Sequence, residues 1–393
     1  MTEQSSHRKA IRSDDRGKTT LVLLGIGHAH LHVLREWRRR PLPNARLICL
    51  NNFGDSAYSG MLPGVLAGMY EPRQMKIDLA SACRVAGAEL IVGQVAAVDL
   101  PRRTLQLDSG QLVPFDLLSI NVGSVPKQDE MQCDDRVVPI KPMQTFVERM
   151  RAAMSDWRER QSSSEFHLTI VGGGAGGTEL AFCLPNFVQR ELRVEPNQLR
   201  TTLVHGHDQL GAGTRESTRQ LAERLLRSRG VDLRLGQHAE RIEQGRLMLS
   251  TGQTLAADLI VWATGAASPP LLGRFDLPRD DHGFLLTDRT LRSVSGSPIF
   301  AVGDCGSIED RDPPKAGVYA VRQGPVLWEN LSRLAAGNQK LREYEPQGDF
   351  LKLFNTGDGR ALMEYRWLTR HARWCWWLKD WIDRRFVARH QAS

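Results

Sequence analysis

Two glycine-rich turns, each set between an apolar run and a helical pattern, constrain this chain more than any other feature. Residues 19–25 read as a buried strand that closes on Gly25-Ile26-Gly27-His28-Ala29-His30. Residues 28–38 then carry helical spacing, and residues 45–50 form a second apolar run. The pattern restarts at residues 167–171, which close on Gly172-Gly173-Gly174-Ala175-Gly176-Gly177. A helix opens over 178–184, and residues 201–205 give the next strand. Strand, tight turn, helix and parallel strand make a βαβ unit. A chain that carries this unit twice is an internal duplication.

The turns say what the units hold. The first glycine of such a turn permits a tight bend, and the second lets backbone approach a pyrophosphate held at a helix N-terminus. Gly25, Gly27, His28 and Ala29 supply the first turn, with His30 in the place of the third glycine. Gly172, Gly174, Ala175 and Gly177 satisfy the full spacing in the second. The acid that usually closes the second strand on a ribose is replaced by Asn51 or Asn52 in one unit and by His205 in the other. The latter leans away from strict NAD selection. Glu179 lies on the first turn of the second helix, where a carboxylate either stabilises the helix or serves the site. Two more apolar strands end in small residues: Val261 to Gly265, with Thr264, and Ile299 to Asp304, with Gly303. The fold class is α/β, with two Rossmann-like three-layer dinucleotide-binding units and a small C-terminal segment.

The 393 residues suit two or three domains. No apolar run approaches the roughly 20 residues of a membrane span. Residues 1–18 are polar and read as a disordered tail without a signal peptide, which points to a cytoplasmic location. The six cysteines are scattered, as reduced structural thiols are. A formal charge of +7 is mild, and no basic run with stacking aromatics indicates nucleic acid. His28, His30 and His32 alternate at a helix start, where their side chains diverge, so no metal site is expected.

Taken together, these motifs resemble the FAD-dependent pyridine nucleotide–disulfide oxidoreductase superfamily. The chain is most similar to its type II NADH dehydrogenase and sulfide:quinone oxidoreductase branch, and within it to the subfamily associated with selenide, water dikinase. The segments that carry the resemblance are Gly25–His32, Tyr58–Gly64 (YSGMLPG), Asn121–Ser124, Gly172–Glu179, Ala263–Gly265, Ala301–Asp304, Pro314–Gly324 and the closing Trp377–Phe386. The resemblance implies FAD on the first unit and NAD(P)H on the second. Gly25, Gly27 and the backbone near His28 would hold the FAD pyrophosphate, with Met61, Leu62 and Pro63 along the flavin. Gly123 and Ser124 would close the unit, and Asp304 would bind the ribitol. Lys315, Ala316 and Gly317 would face the pyrimidine end. Asn51 and Val95 complete the cofactor-binding set, and Glu179 and Lys315 are the candidate catalytic residues. The dithiol of the disulfide reductases has no counterpart, Cys133 has no evident partner, and Val318 and Arg322 fall where quinone-lining glutamines would stand.

The implied organisation is glutathione-reductase-like, with an FAD-binding domain over 19–141 and 257–335, an inserted NAD(P)-binding domain over 142–256 and a C-terminal segment over 336–393. The implied activity is electron transfer from NAD(P)H through flavin to a quinone-like acceptor. The alternatives are a sulfide- or selenide-oxidising flavoprotein and a low-turnover accessory of selenophosphate synthesis. Selenide, water dikinase and a second copy of the chain are candidate partners. In the last segment Trp374, Trp377, Leu378, Trp381, Ile382 and Phe386 recur at helical spacing, flanked by Arg366, Arg370, Arg373, Lys379, Arg384, Arg385 and Arg389 against the acids Asp380 and Asp383. One apolar stripe with basic flanks predicts peripheral docking on the inner membrane face, or packing against protein.

Overall fold

The computed structural model describes residues 17–127, 134–160, 165–211, 213–243, 246–311 and 313–391. The expected 1–18 tail falls almost wholly outside these residues, as does Cys133. Two five-stranded parallel sheets have equivalent strand orders. In the first, Ile299–Ala301, Leu117–Ile120, Thr19–Leu24, Ala45–Asn51 and Glu89–Val92 lie side by side. In the second, the order is Val137–Pro139, Leu259–Trp262, Phe166–Val171, Leu199–His205 and Asp232–Leu235. Each unit adds a three-stranded antiparallel meander, Val95–Asp99 to Leu112–Pro114 in one and Ala239–Glu243 to Thr254–Ala256 in the other. The duplication expected from the two turns is therefore present strand for strand.

The near-continuous apolar runs follow from burial on both faces of a parallel sheet. Leu21, Leu23, Leu47 and Cys49 point into the larger core, under the helices His28–Arg39, Leu79–Ala86 and Gly317–Ala335. Val22, Leu24, Ile48 and Leu50 point into a second core, under the meander. Strand order reverses beside Thr19–Leu24 and beside Phe166–Val171, so both glycine turns sit at topological switch points, where ligands of such sheets bind.

The seam between the units differs from a division at 142 and 256. Val137–Pro139 and Leu259–Trp262 hydrogen-bond within the second sheet, so that unit extends past both boundaries. The chain crosses between units at Val125–Pro126 and Ala266–Ala267, which pair antiparallel. The C-terminal part forms a three-stranded sheet, Lys352–Asn355, Ala361–Tyr365 and Leu368–Ala372, followed by the helix Arg373–His390. Among the described residues, no helix is long and apolar enough to cross a membrane.

The C-terminal helix does not bury the expected stripe. Cys375, Lys379, Asp383 and Val387, four residues apart, face the protein. Trp374, Trp377 and Trp381 face outward. The inward charges are tolerated because they pair with one another, which removes the penalty of isolated buried ions.

The second turn carries a stability prediction. A Cβ on Gly177 would lie 1.7 Å from the carbonyl oxygen of Gly172, whereas one on Gly176 would meet nothing within 4 Å. Gly177→Ala should lower stability by about 3 kcal/mol, near the upper end for forced overpacking. Gly176→Ala should be neutral or stabilising by up to about 1 kcal/mol. Urea unfolding of the two variants checks this, and equal midpoints would contradict the packing described.

Candidate functional site

The first glycine turn is built around Asn121. A Cβ on Gly25 would lie 2.7 Å from the Asn121 carbonyl oxygen, and one on Gly27 would lie 2.9 Å from its Nδ2. A Cβ on Gly303 would lie 2.7 Å from its Oδ1. The glycine turn and the Gly303 segment thus close on one residue, Gly25 against its backbone and Gly27 and Gly303 against its side chain, at distances that a Cβ would not allow. The Asn121 Nδ2 donor is buried without a hydrogen-bond partner. An unpaired amide where three glycine backbones meet, beside the N-terminus of His28–Arg39, suits a ligand rich in acceptor oxygens. These residues fit a dinucleotide pyrophosphate.

Asp304 lies beside this junction. Its Oδ2 accepts from Ser124 Oγ at 2.8 Å and from Lys141 Nζ at 3.2 Å. Lys141 also donates to Ser124 Oγ at 2.6 Å. The backbone N–H of Gly303 donates to buried Gln323 at 2.6 Å. Lys141 was not among the sequence candidates, because its place beside Asp304 depends on the crossing between the units.

Several candidates take other roles than expected. His30 is fully buried and bonds the Gly25 carbonyl at 2.5 Å and Ser119 Oγ at 2.7 Å. It braces the turn from the core side. The Asn51 amide is committed to the same turn: Oδ1 accepts from Ile26 N–H at 3.0 Å, and Nδ2 donates to the Phe53 carbonyl at 2.7 Å. Asn52 is the exposed member of the pair. Lys315 donates to the Gly306 carbonyl at 2.6 Å and lies over the Phe284 ring. The side chains of Ala29, Met61, Leu62 and Val95 are core residues, which leaves their backbone for any ligand. The Val95 carbonyl already accepts from Arg274 at 2.7 Å. Gly123 has a positive φ of 73° at the close of its strand, and Ala316 caps the helix that Gly317 opens.

The second turn has the same construction. Gly172 has φ of 116°, and a Cβ there would lie 2.3 Å from the carbonyl oxygen of Ala263. The small residues ahead of Thr264 and Gly265 are therefore what lets the neighbouring strand end approach. Gly174 caps the helix Ala175–Leu192 and is open on its Cβ side. At the end of the second strand His205 Nδ1 accepts from Gly173 N–H at 3.0 Å. Its ring lies 5.1 Å from that of His207. Burial, followed by the neighbouring His207 and His238, lowers the pKa of His205.

Glu179 marks the point where three parts of the chain meet. Its Oε1 accepts the Asn355 backbone N–H at 2.7 Å and lies 3.9 Å from Lys379 Nζ. Lys379 is buried, bonds Asp383 at 3.1 Å and donates to the Gly60 carbonyl at 2.9 Å. Tyr58 donates to Asp383 at 3.2 Å. Burial is the largest influence on Glu179 and raises its pKa to about 7, with Lys379 opposing. Burial likewise raises Asp383, again opposed by Lys379. Tyr58 stacks on Phe386 at 4.3 Å, and both rings meet His28. Burial lowers His28 to about 4, so it is neutral near pH 7. Lys379 and Asp383 were read from sequence only as flanking charges of a stripe. Their spacing of four residues was the available signal.

Among the described residues, no three His, Cys, Asp or Glu side chains are grouped to hold a metal ion. Cys49 and Cys83, distant in sequence, meet in the larger core, where a hydrogen bond to Cys83 leads the causes that raise Cys49.

Comparison with known proteins agrees with this geometry. A probable NADH dehydrogenase of Dictyostelium discoideum is 22% identical over 358 residues, covering 85% of this chain and 79% of that protein. The external alternative NAD(P)H-ubiquinone oxidoreductase B3 of Arabidopsis thaliana mitochondria is 24% identical over 329 residues, covering 75% of this chain but only 56% of that protein. Among solved structures, the sulfide:quinone oxidoreductase of Aquifex aeolicus superposes with a TM-score of 0.77 at 16% identity, covering 95% of this chain and 92% of that one. NDH2 of Plasmodium falciparum, in complex with NADH, gives a TM-score of 0.80 at 13% identity, covering 95% and 97%. At such identities the structural likeness establishes the fold. The family model for pyridine nucleotide-disulphide oxidoreductases matches residues 19–324, which include both glycine turns, Asp304 and Glu179, and the chain belongs to that family.

Proposed function

We propose that this chain is an FAD-dependent oxidoreductase that passes electrons from NAD(P)H to a quinone-like acceptor at a membrane surface. The observation that carries the reading is the pair of switch-point glycine turns, each with backbone brought to within the reach of a pyrophosphate. The first unit holds FAD through Gly25, Gly27, Asn121 and Gly303, with Asp304, Ser124 and Lys141 toward the ribitol. The second holds the nicotinamide nucleotide at Gly172, Gly174 and Gly177. When bound, FAD supplies the redox chemistry by accepting a hydride. The protein orients the two nucleotides and keeps bulk water from the Glu179 cluster. Glu179 holds or releases a proton near neutral pH beside Lys379.

The names of the curated relatives support NAD(P)H as donor and quinone as acceptor. The motif resemblance of Gly25–His32 and Trp377–Phe386 supports selenide, water dikinase as a working partner. The outward face of the C-terminal helix supports the membrane reading: Trp374 is 45% exposed, Trp377 66% and Trp381 56%, with Trp367 at 78% on the adjoining hairpin. Tryptophan flanked by arginine suits the headgroup layer, where each basic residue adds roughly 1 kcal/mol on anionic lipid.

Asp304→Ala should weaken FAD by about 1.5–3 kcal/mol, or roughly ten- to a hundredfold, the range for a hydrogen bond to a charged group. Flavin fluorescence titration of the apoprotein measures this, and unchanged affinity would remove Asp304 from the site.

The raised pKa of Glu179 gives a signed pH dependence. The folded chain keeps a proton that the unfolded chain loses near 4.5, up to about 7. Stability from this group is therefore lost as pH rises through that window. Glu179→Gln should flatten this stretch of the stability–pH curve in urea unfolding. An identical slope in the variant would assign the proton elsewhere.

Substituting Trp374, Trp377 and Trp381 together by Ser should cut binding to phosphatidylglycerol vesicles at least about tenfold, with FAD retained. Truncation before Arg366 is a poorer test, since it also removes Lys379. If vesicle binding is unchanged while a dimer becomes a monomer, the face belongs to a second copy.

A further inference from the structure

A cavity of about 410 Å³ opens where the helices His28–Arg39, Gly317–Ala335 and Arg373–His390 meet. Its lining includes His28, His32, Arg35, Arg322, Arg342 and Arg389, and no carboxylate. Two of the lining arginines are paired with acids outside it: Arg35 with Glu36 at 3.0 Å and Arg342 with Glu329 at 2.9 Å. Among the described residues, Arg322 and Arg389 have neither a hydrogen-bond nor an ion-pair partner. His390 completes the basic lining, and Phe386 and Val321 supply apolar wall.

We propose that this cavity binds a small, soluble oxyanion or phosphorylated molecule bearing at least two negative charges. Four guanidinium groups around one cavity repel one another, and planar donors in this arrangement match phosphate-like oxygens bidentately. Burial first, then Arg35, lowers His32 to about 4. Burial lowers His390, with Arg35 and Arg389 adding to it. The position is also informative. His28 forms part of the cavity lining, and Asp304 and Lys141 act on the same imidazole electrostatically. The anion would thus sit one side chain away from the first glycine turn. The inference does not depend on which acceptor takes the electrons.

Isothermal titration of the FAD-loaded protein with inorganic pyrophosphate, at pH 7.5 and constant ionic strength, tests the site. Saturable binding is expected, weakened at least about 30-fold in the Arg322→Ala, Arg389→Ala double variant. FAD content should be unchanged, because both side chains are exposed. Equal affinity in the double variant, or no saturable binding in the parent, would overturn the proposal. Phosphatidylglycerol vesicles form the second arm. The double variant should bind them within about threefold of the parent, since the tryptophan face is intact. A variant that loses vesicle binding while pyrophosphate binding is absent from both proteins would assign the cationic wall to lipid headgroups and overturn the soluble ligand.

Discussion

The ammonium of Lys379 holds the architecture together. It bonds the Gly60 carbonyl of the first unit and Asp383 of its own helix, and it stands 3.9 Å from Glu179 of the second unit. A buried ion of this kind is costly unless every neighbour is placed to receive it. The chain therefore has to fix three distant segments together before the lysine can be buried. Removing Lys379 would leave two carboxylates facing each other in a dry site, so the C-terminal helix is part of the site and not an appendage.

The same arrangement explains the intermediate character of Glu179. The sequence puts Glu179 on the first turn of its helix, but the helix Ala175–Leu192 has no acid in its first turn, so the helix dipole gives Glu179 little support and only the ordinary acidity of a carboxyl group would keep it ionised. Burial works against that, and Asp383 adds a like charge nearby. Lys379 and the Asn355 N–H restore part of the balance. The result is a group whose protonation answers to small changes in its surroundings near neutral pH, a common property of acids and bases that take part in chemistry.

What was legible in the sequence is what is local. Gly25, Gly27, Gly172, Gly174 and Gly177 announce themselves by spacing, because the need for a missing Cβ arises within a few residues. The strand before the first turn is apolar at every position from Leu21 to Leu24, so its burial on both faces was legible, but which side chain enters which core was not. The roles that misled were set by distant partners. His30 occupies a glycine position, yet it points to Ser119, far away in sequence. Asn51 stands where a ribose ligand is expected, but its amide closes on Ile26 and Phe53. The apolar stripe of the last helix was visible, but its inward side is chosen by Gly60, Tyr58 and Glu179, none of which neighbours it in sequence.

The two chain crossings at Val125–Pro126 and Ala266–Ala267 have a mechanical consequence. Had they been separate linkers, the units would be free to twist and slide independently at each. Because the crossings are paired antiparallel, they behave as a single ribbon, and a shear along one strand is resisted by the ladder to the other. Relative motion of the units is thereby narrowed toward flexing about one line, and the Lys379 junction, which touches both units, restrains it further.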